Sequence, residues 1–173
     1  MKVLFSAEQI AQAIERLASE IANDYSGKPL LLLGVLKGAL YVTVDLARAL
    51  AAIPDGPSEI VMDFVSVGSY GNATESSGEV RLLMDVSVPV TGRNVLILDD
   101  VADGGLTLQA LQTLLRERRP ASLRTGVLFD KPARRSVDVT LDYVGLTLRN
   151  AFAVGYGLDY QEKYRTLPYL AEL

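Results

Sequence analysis

The stretch Val95-Leu-Ile-Leu-Asp-Asp-Val-Ala-Asp-Gly-Gly-Leu-Thr-Leu108 decides the fold. Its four leading apolar residues are too few for a helix and suit a buried strand. Asp99, Asp100 and Asp103 follow, then Gly104, Gly105 and Thr107. Beyond them, Leu108, Leu111, Leu114 and Leu115 recur at helical spacing. A strand therefore ends in acids, turns through glycines and feeds a helix. Open α/β sheets bind ligands at such places, beyond the carboxyl ends of their strands. The turn offers free N–H groups at a helix N-terminus, which suits an anion. The acids beside it need donors, because two like charges ~4 Å apart repel by roughly 4 kcal/mol at an effective dielectric of about 20. A single Asp here would commonly be a helix cap. Three acids within five residues, followed by two glycines, exceed what a cap requires. A phosphate next to a polyol satisfies both demands, and a ribose 5-phosphate has both.

Other phosphate and metal motifs fail. No Gly-Lys-Ser/Thr tripeptide exists to close a P-loop, and Val101 and Ala110 stand where an EF-hand needs oxygen ligands. The 173 residues suit one domain spanning 1–173 with a real core. No apolar run is long enough for a membrane span, no signal-peptide pattern opens the chain, and cysteine is absent; the expected compartment is cytoplasmic. Histidine is absent too, which excludes Ser-His-Asp triads and His-ligated zinc. Acid–base work then falls to carboxylate, lysine or tyrosine. Any metal should be a hard ion on oxygen ligands, which points to Mg2+. A formal net charge of −4 argues against nucleic acid as a partner.

Working outward, Ser6 and Gln9 form a capping box ahead of Ile10, Ile14, Leu17 and Ile21 at helical spacing, with Phe5 and Ile10 as its staple and Gly27 as its stop. Leu30 to Val35 is a buried parallel strand, ending in Leu36-Lys37-Gly38 before a helix through Tyr41, Val42, Leu46 and Leu50. Glu59 to Val67 and Val80 to Val86 are strands flanking a polar, Gly-rich segment. Loops of that length are often lids. Leu123 to Phe129 is a strand ending in Asp130-Lys131-Pro132; Leu141 to Leu148 and Phe152 to Tyr156 are the last strand candidates. Arg134 and Arg135 are expected to be surface charges. The class is α/β, with a mostly parallel twisted sheet flanked by helices.

The central stretch resembles the diphosphoribose-binding signature of the type I phosphoribosyltransferases. Leu33-Gly-Val-Leu-Lys-Gly38, Asp63-Phe64, Ser69-Tyr-Gly-Asn72, Asp130-Lys-Pro132, Phe152-Ala-Val-Gly-Tyr-Gly-Leu-Asp-Tyr160 and Arg165 narrow the resemblance to the hypoxanthine/guanine phosphoribosyltransferases. It runs from about the first helix to the C-terminus. It implies a small hood built from both chain ends. It also implies transfer of phosphoribose from 5-phosphoribosyl diphosphate to hypoxanthine or guanine, in a homodimer or homotetramer.

The resemblance assigns roles residue by residue. Asp103 is the catalytic base. Asp99 and Asp100 bind ribose, and Asp103, Gly104, Gly105, Leu106 and Thr107 hold the 5-phosphate. Leu36, Lys37, Gly38 and Arg165 bind pyrophosphate, with a non-proline cis peptide often preceding the lysine. Ser69 and Tyr70 form a lid. Lys131, Phe152, Ala153 and Asp159 bind the purine, while Asp159, Asp99 and Asp100 serve Mg2+. Two departures stand out: Asp99 where the family usually has Glu, and Gly104 where it usually has Thr or Ser; both imply weaker donor binding. An alternative remains in the same fold, a nucleotide-sensing regulator with little catalysis, although retention of Asp103, Lys131, Phe152 and Asp159 favours the enzyme.

Overall fold

The continuous apolar runs become the middle of a six-stranded sheet of order β4-β3-β2-β5-β6-β7. Its strands are β2 (Pro29–Leu36), β3 (Glu59–Ser69), β4 (Val80–Met84), β5 (Asn94–Ala102), β6 (Ser122–Asp130) and β7 (Tyr143–Thr147). All neighbours run parallel except β4, which is antiparallel to β3. The computed structural model describes residues 1–69 and 79–173, apart from the Ser69 side chain. Leu30–Leu33 and Val95–Leu98 are buried in adjacent central strands, as expected for strands covered on both faces. Each such fully buried side chain contributes roughly 1.5–3 kcal/mol of transfer free energy.

Three helices cover the sheet: α1 (Ala7–Asp24), α2 (Leu40–Ala51) and α3 (Leu106–Glu117). The capping box at the start of α1 is formed, with Gln9 N–H donating to Ser6 Oγ at 3.2 Å and Ser6 N–H donating to Gln9 Oε1 at 2.9 Å. Ile10, Ile14, Leu17 and Ile21 face inward on α1. No helix among the described residues is long and apolar enough to cross a membrane.

A second, three-stranded antiparallel sheet joins the chain ends in the order β1-β9-β8. Its strands are β1 (Lys2–Phe5), β8 (Ala153–Val154) and β9 (Leu170–Glu172). Phe5 in β1 stacks on Phe129 in β6 with ring centroids 6.0 Å apart, tying the small sheet to the large one. β1 and β9 were not anticipated, and the expected strand Phe152 to Tyr156 shrinks to two residues. These strands are too short to show a period. Their hydrogen bonds go to partners far away in sequence, which local pattern does not reveal.

Topology fixes where a ligand can sit. The chain leaves β2, passes through α2 and returns as β3 on one side, while β5 lies on the other side of β2. The loops after β2 and β5 therefore diverge and leave a crevice at the carboxyl ends, the switch point of an open α/β sheet.

Candidate functional site

The turn after β5 has the geometry its glycines suggested. Gly105 is the N-cap of α3 with φ 94°, a conformation that needs no Cβ. The first bond of the helix runs from Gln109 N–H to the Gly105 carbonyl at 2.9 Å. The N–H groups of Leu106, Thr107 and Leu108 precede that ladder and point out of its end. Asp99, Asp103, Gly104, Gly105, Leu106 and Thr107 line one cavity here. A second cavity adjoins it, lined by Asp100, Asp103, Lys131, Phe152, Ala153 and Asp159. The two share Val101, Asp103 and Arg134. A larger groove between β4 and α3 contains none of these acids, nor Lys131.

Of the acid pair, Asp99 is buried and Asp100 half-buried. Burial, then the neighbouring Asp100 charge, pushes the Asp99 carboxyl well above the usual range, and burial also raises Asp100. Asp100 N–H donates to Asp99 Oδ1 at 2.9 Å, and Val101 N–H donates to Asp100 Oδ1 at 2.7 Å. The remaining carboxylate capacity needs donors or a cation. Gly38 packs against the Asp100 carboxylate so tightly that a Cβ there would collide with it. Gly157, at φ 100°, lies in turn against the Gly38 carbonyl. The three residues form a stack joining the loop after β2, the end of β5 and the turn after β8.

Both expected pyrophosphate cations meet on one carboxylate. Lys37, which follows a cis peptide bond from Leu36, bonds Glu162 Oε2 through Nζ at 2.8 Å. Arg165 Nη2 reaches Glu162 Oε1 at 3.1 Å and Asp159 Oδ1 at 3.0 Å, while its Nη1 donates to the Gly157 carbonyl at 2.7 Å. Hydrogen bonding from Lys37, then Arg165, lowers the Glu162 carboxyl below its ordinary value. Sequence reasoning did not single out Glu162. The signal was the three-residue spacing Asp159, Glu162, Arg165, which a turn with left-handed Gln161 and Glu162 folds onto one side.

Lys131 is 8% exposed, its backbone N–H donates to the Ala102 carbonyl at 2.9 Å, and its ammonium has no partner among the described residues. Phe152, which could have been core, is instead 56% exposed and meets Tyr160 edge-on with centroids 5.7 Å apart. Arg134 is a surface charge as expected, though a paired one, while Arg135 is half-buried. Arg134 Nε contacts Asp103 Oδ1 at 3.2 Å; Arg135 donates to the Asp103 carbonyl at 3.2 Å and pairs with Asp130. The 3-10 turn Pro132–Arg134 bends both back over the loop, which a pair of arginines in sequence does not reveal. The expected lid lies outside the described residues, at Tyr70 and at the side chain of Ser69. Among the described residues no group of three carboxylates is arranged to hold a metal, so Asp99, Asp100 and Asp159 do not form one cluster.

The chain is similar to known proteins over nearly its whole length. The phosphoribosyl transferase domain family matches residues 2–161. The hypoxanthine-guanine phosphoribosyltransferase of Bacillus subtilis (strain 168) is 44% identical over 172 residues, covering 99% of this chain and 92% of the relative. A crystal structure of a hypoxanthine-guanine phosphoribosyltransferase from Bacillus anthracis superposes with TM-score 0.91 at 40% identity, covering 100% of this chain and 98% of that one. The Trypanosoma cruzi hypoxanthine phosphoribosyl transferase gives TM-score 0.92 at 42% identity, covering 100% of this chain and 91% of that one. With the acid-rich turn after β5 and the family match spanning nearly the whole chain, this protein belongs to the phosphoribosyl transferase domain family.

Proposed function

We infer that this chain is a purine salvage enzyme that transfers phosphoribose from 5-phosphoribosyl diphosphate to N9 of hypoxanthine or guanine, releasing pyrophosphate. The observation that carries the base assignment is Lys131, a mostly buried side chain whose ammonium has no partner among the described residues, in a cavity that also holds an exposed Phe152. Lysine only donates, so it matches a 6-oxo acceptor. The relatives named above carry the same activity in their names.

The site's residues divide the work. The N–H groups opening α3 and the Thr107 hydroxyl hold the 5-phosphate. Asp99 and Asp100 accept from the ribose hydroxyls, which relieves their repulsion. Phe152 stacks on the base and Lys131 donates to its oxo group. Asp103, on the wall shared by both cavities, takes the N7 proton as N9 attacks the anomeric carbon and the bond to pyrophosphate breaks. Lys37 and Arg165 leave Glu162 and neutralise the departing pyrophosphate.

The acids also fit Mg2+, which the family resemblance implies. Asp100 and Asp159 line one cavity, and this ion takes one or two carboxylates together with substrate phosphates rather than a full protein cage. Asp100 and Asp159, on that one wall, would hold it without Asp99, and when bound it would supply positive charge to the diphosphate. The partners are small molecules; a cytoplasmic homo-oligomer completes the proposal. Pyrophosphate release measured with hypoxanthine, guanine, xanthine, adenine and uracil tests it, together with Asp103→Asn. The expected result is turnover of the oxo-purines and a loss of ~10²–10⁴ in the variant, the usual span for a general base. Full activity of the variant would sink the role of Asp103, and no turnover of any oxo-purine would sink the function.

A further inference from the structure

The phosphate loop has a bare position. Gly104 carries no side chain, and its φ lies outside the left-handed region that Gly105 occupies. A Cβ built at Gly104 would point to Ser136, reaching 3.1 Å from its Oγ. Ser136 follows the 3-10 turn and lines the same cavity as Gly105, Leu106 and Thr107. Its backbone is fixed there, because Ser136 N–H donates to the Gly104 carbonyl at 3.0 Å.

The Ser136 hydroxyl also donates to that carbonyl, at 3.2 Å. This bond is surplus. A carbonyl oxygen has two lone pairs, and the Gly104 oxygen already receives Ser136 N–H at 3.0 Å and Val137 N–H at 3.4 Å. A hydroxyl rotor turns to suit its partners, so this one can release the carbonyl without leaving it unsatisfied. The side chain is exposed and lines the cavity, and no other bond holds it among the described residues.

We propose that Ser136 is a phosphate-binding residue of this site. Its hydroxyl turns from the Gly104 carbonyl to a non-bridging oxygen of the phosphate seated on the α3 N-terminus, filling the place beside Gly104 with a donor from another loop. The proposal rests on the function inferred above, since it requires a phosphate monoester on the ribose.

Calorimetric titration of the full chain with guanosine 5′-monophosphate and with guanosine tests it. One hydrogen bond to a charged oxygen corresponds to about 10- to 150-fold in affinity. Ser136→Ala should lose about that much for the nucleotide and nothing for the nucleoside, and should raise KM for 5-phosphoribosyl diphosphate while sparing KM for the base. Ser136→Thr, which keeps the hydroxyl, should retain affinity. Ser136→Ala combined with Gly104→Ser should recover it, since removing Oγ clears the space a Cβ at 104 needs. Unchanged nucleotide affinity in Ser136→Ala overturns the proposal, and so does an equal loss for nucleotide and nucleoside, which would mark Ser136 as a mere loop stitch. Wild-type protein that binds neither would overturn the functional inference itself and this proposal with it.

Discussion

Replacing Lys131 with methionine should lower activity and leave stability in place. Methionine keeps the length of the side chain and removes only its donors, so the buried site is not emptied. In the bound state the lost interaction is a hydrogen bond from a cation to the 6-oxo group, worth roughly 1.5–3 kcal/mol. That corresponds to a fall of about 10- to 150-fold in kcat/KM for hypoxanthine and guanine. In the free protein no bond is lost. The Lys131 side chain is mostly buried and its ammonium has no partner among the described residues, so methionine keeps the packing and forfeits no contact. The thermal midpoint of Lys131→Met should be little changed. Adenine should be a poor substrate for the wild type, since its 6-amino donor opposes a lysine donor. Steady-state kinetics with the three purines and a thermal melt decide the matter. If oxo-purine kcat/KM survives the change, or if the protein loses stability along with activity, the lysine is structural and the base assignment fails.

Three further outcomes follow from the geometry. Gly157→Ala meets both a φ of 100° and the Gly38 carbonyl. Left-handed strain of about 1–2 kcal/mol and overpacking of about 1–3 kcal/mol should lower the urea midpoint and raise KM for the donor; an unaltered midpoint would mean the stack is loose. Glu162→Gln removes the anion held between Lys37 and Arg165, so pyrophosphate should inhibit at lower concentration; weaker inhibition would show that Glu162 organises the cations instead of competing for them. Asp63 is opposed by partial burial, yet the N–H groups of Phe64, Val88 and Ser87 outweigh it and hold its pKa below the ordinary value. A depressed folded pKa gives stability that is present above the unfolded value, near 4, and lost as pH falls through the folded one. Acid melts below about pH 4 should therefore be shallower in Asp63→Asn, and an identical acid profile would remove Asp63 from the account.

What was legible in the sequence was the part that local chemistry writes. Val95–Leu98 is apolar because β5 is covered on both faces, and Gly105 is glycine because the N-cap of α3 has positive φ. Lys37, Asp99, Asp103 and Lys131 each stand at the end of a parallel strand or just beyond it, so one rule of α/β sheets gathers them. Residues that act through distant partners were not legible. Nothing beside Arg134 in sequence says that it will reach Asp103, thirty-one positions away. Ser136 owes its place to the Gly104 carbonyl, and Glu162 owes its place to a turn of left-handed residues. β1 and β9 exist because they pair with each other, and neither carries a periodic signal of its own.

The pairing of β8 with β9 has a consequence for synthesis on the ribosome. Phe152 adjoins a strand of two residues, and that strand takes its hydrogen bonds from Leu170–Glu172. A nascent chain that has emerged as far as Thr147 already contains every strand of the large sheet, both switch-point loops and the phosphate turn. On the function proposed above it cannot yet hold a purine, because the wall that carries Phe152 waits for residues some twenty positions downstream. Translation thus delivers an anion-binding half-site first and a base-binding site only when the small sheet closes.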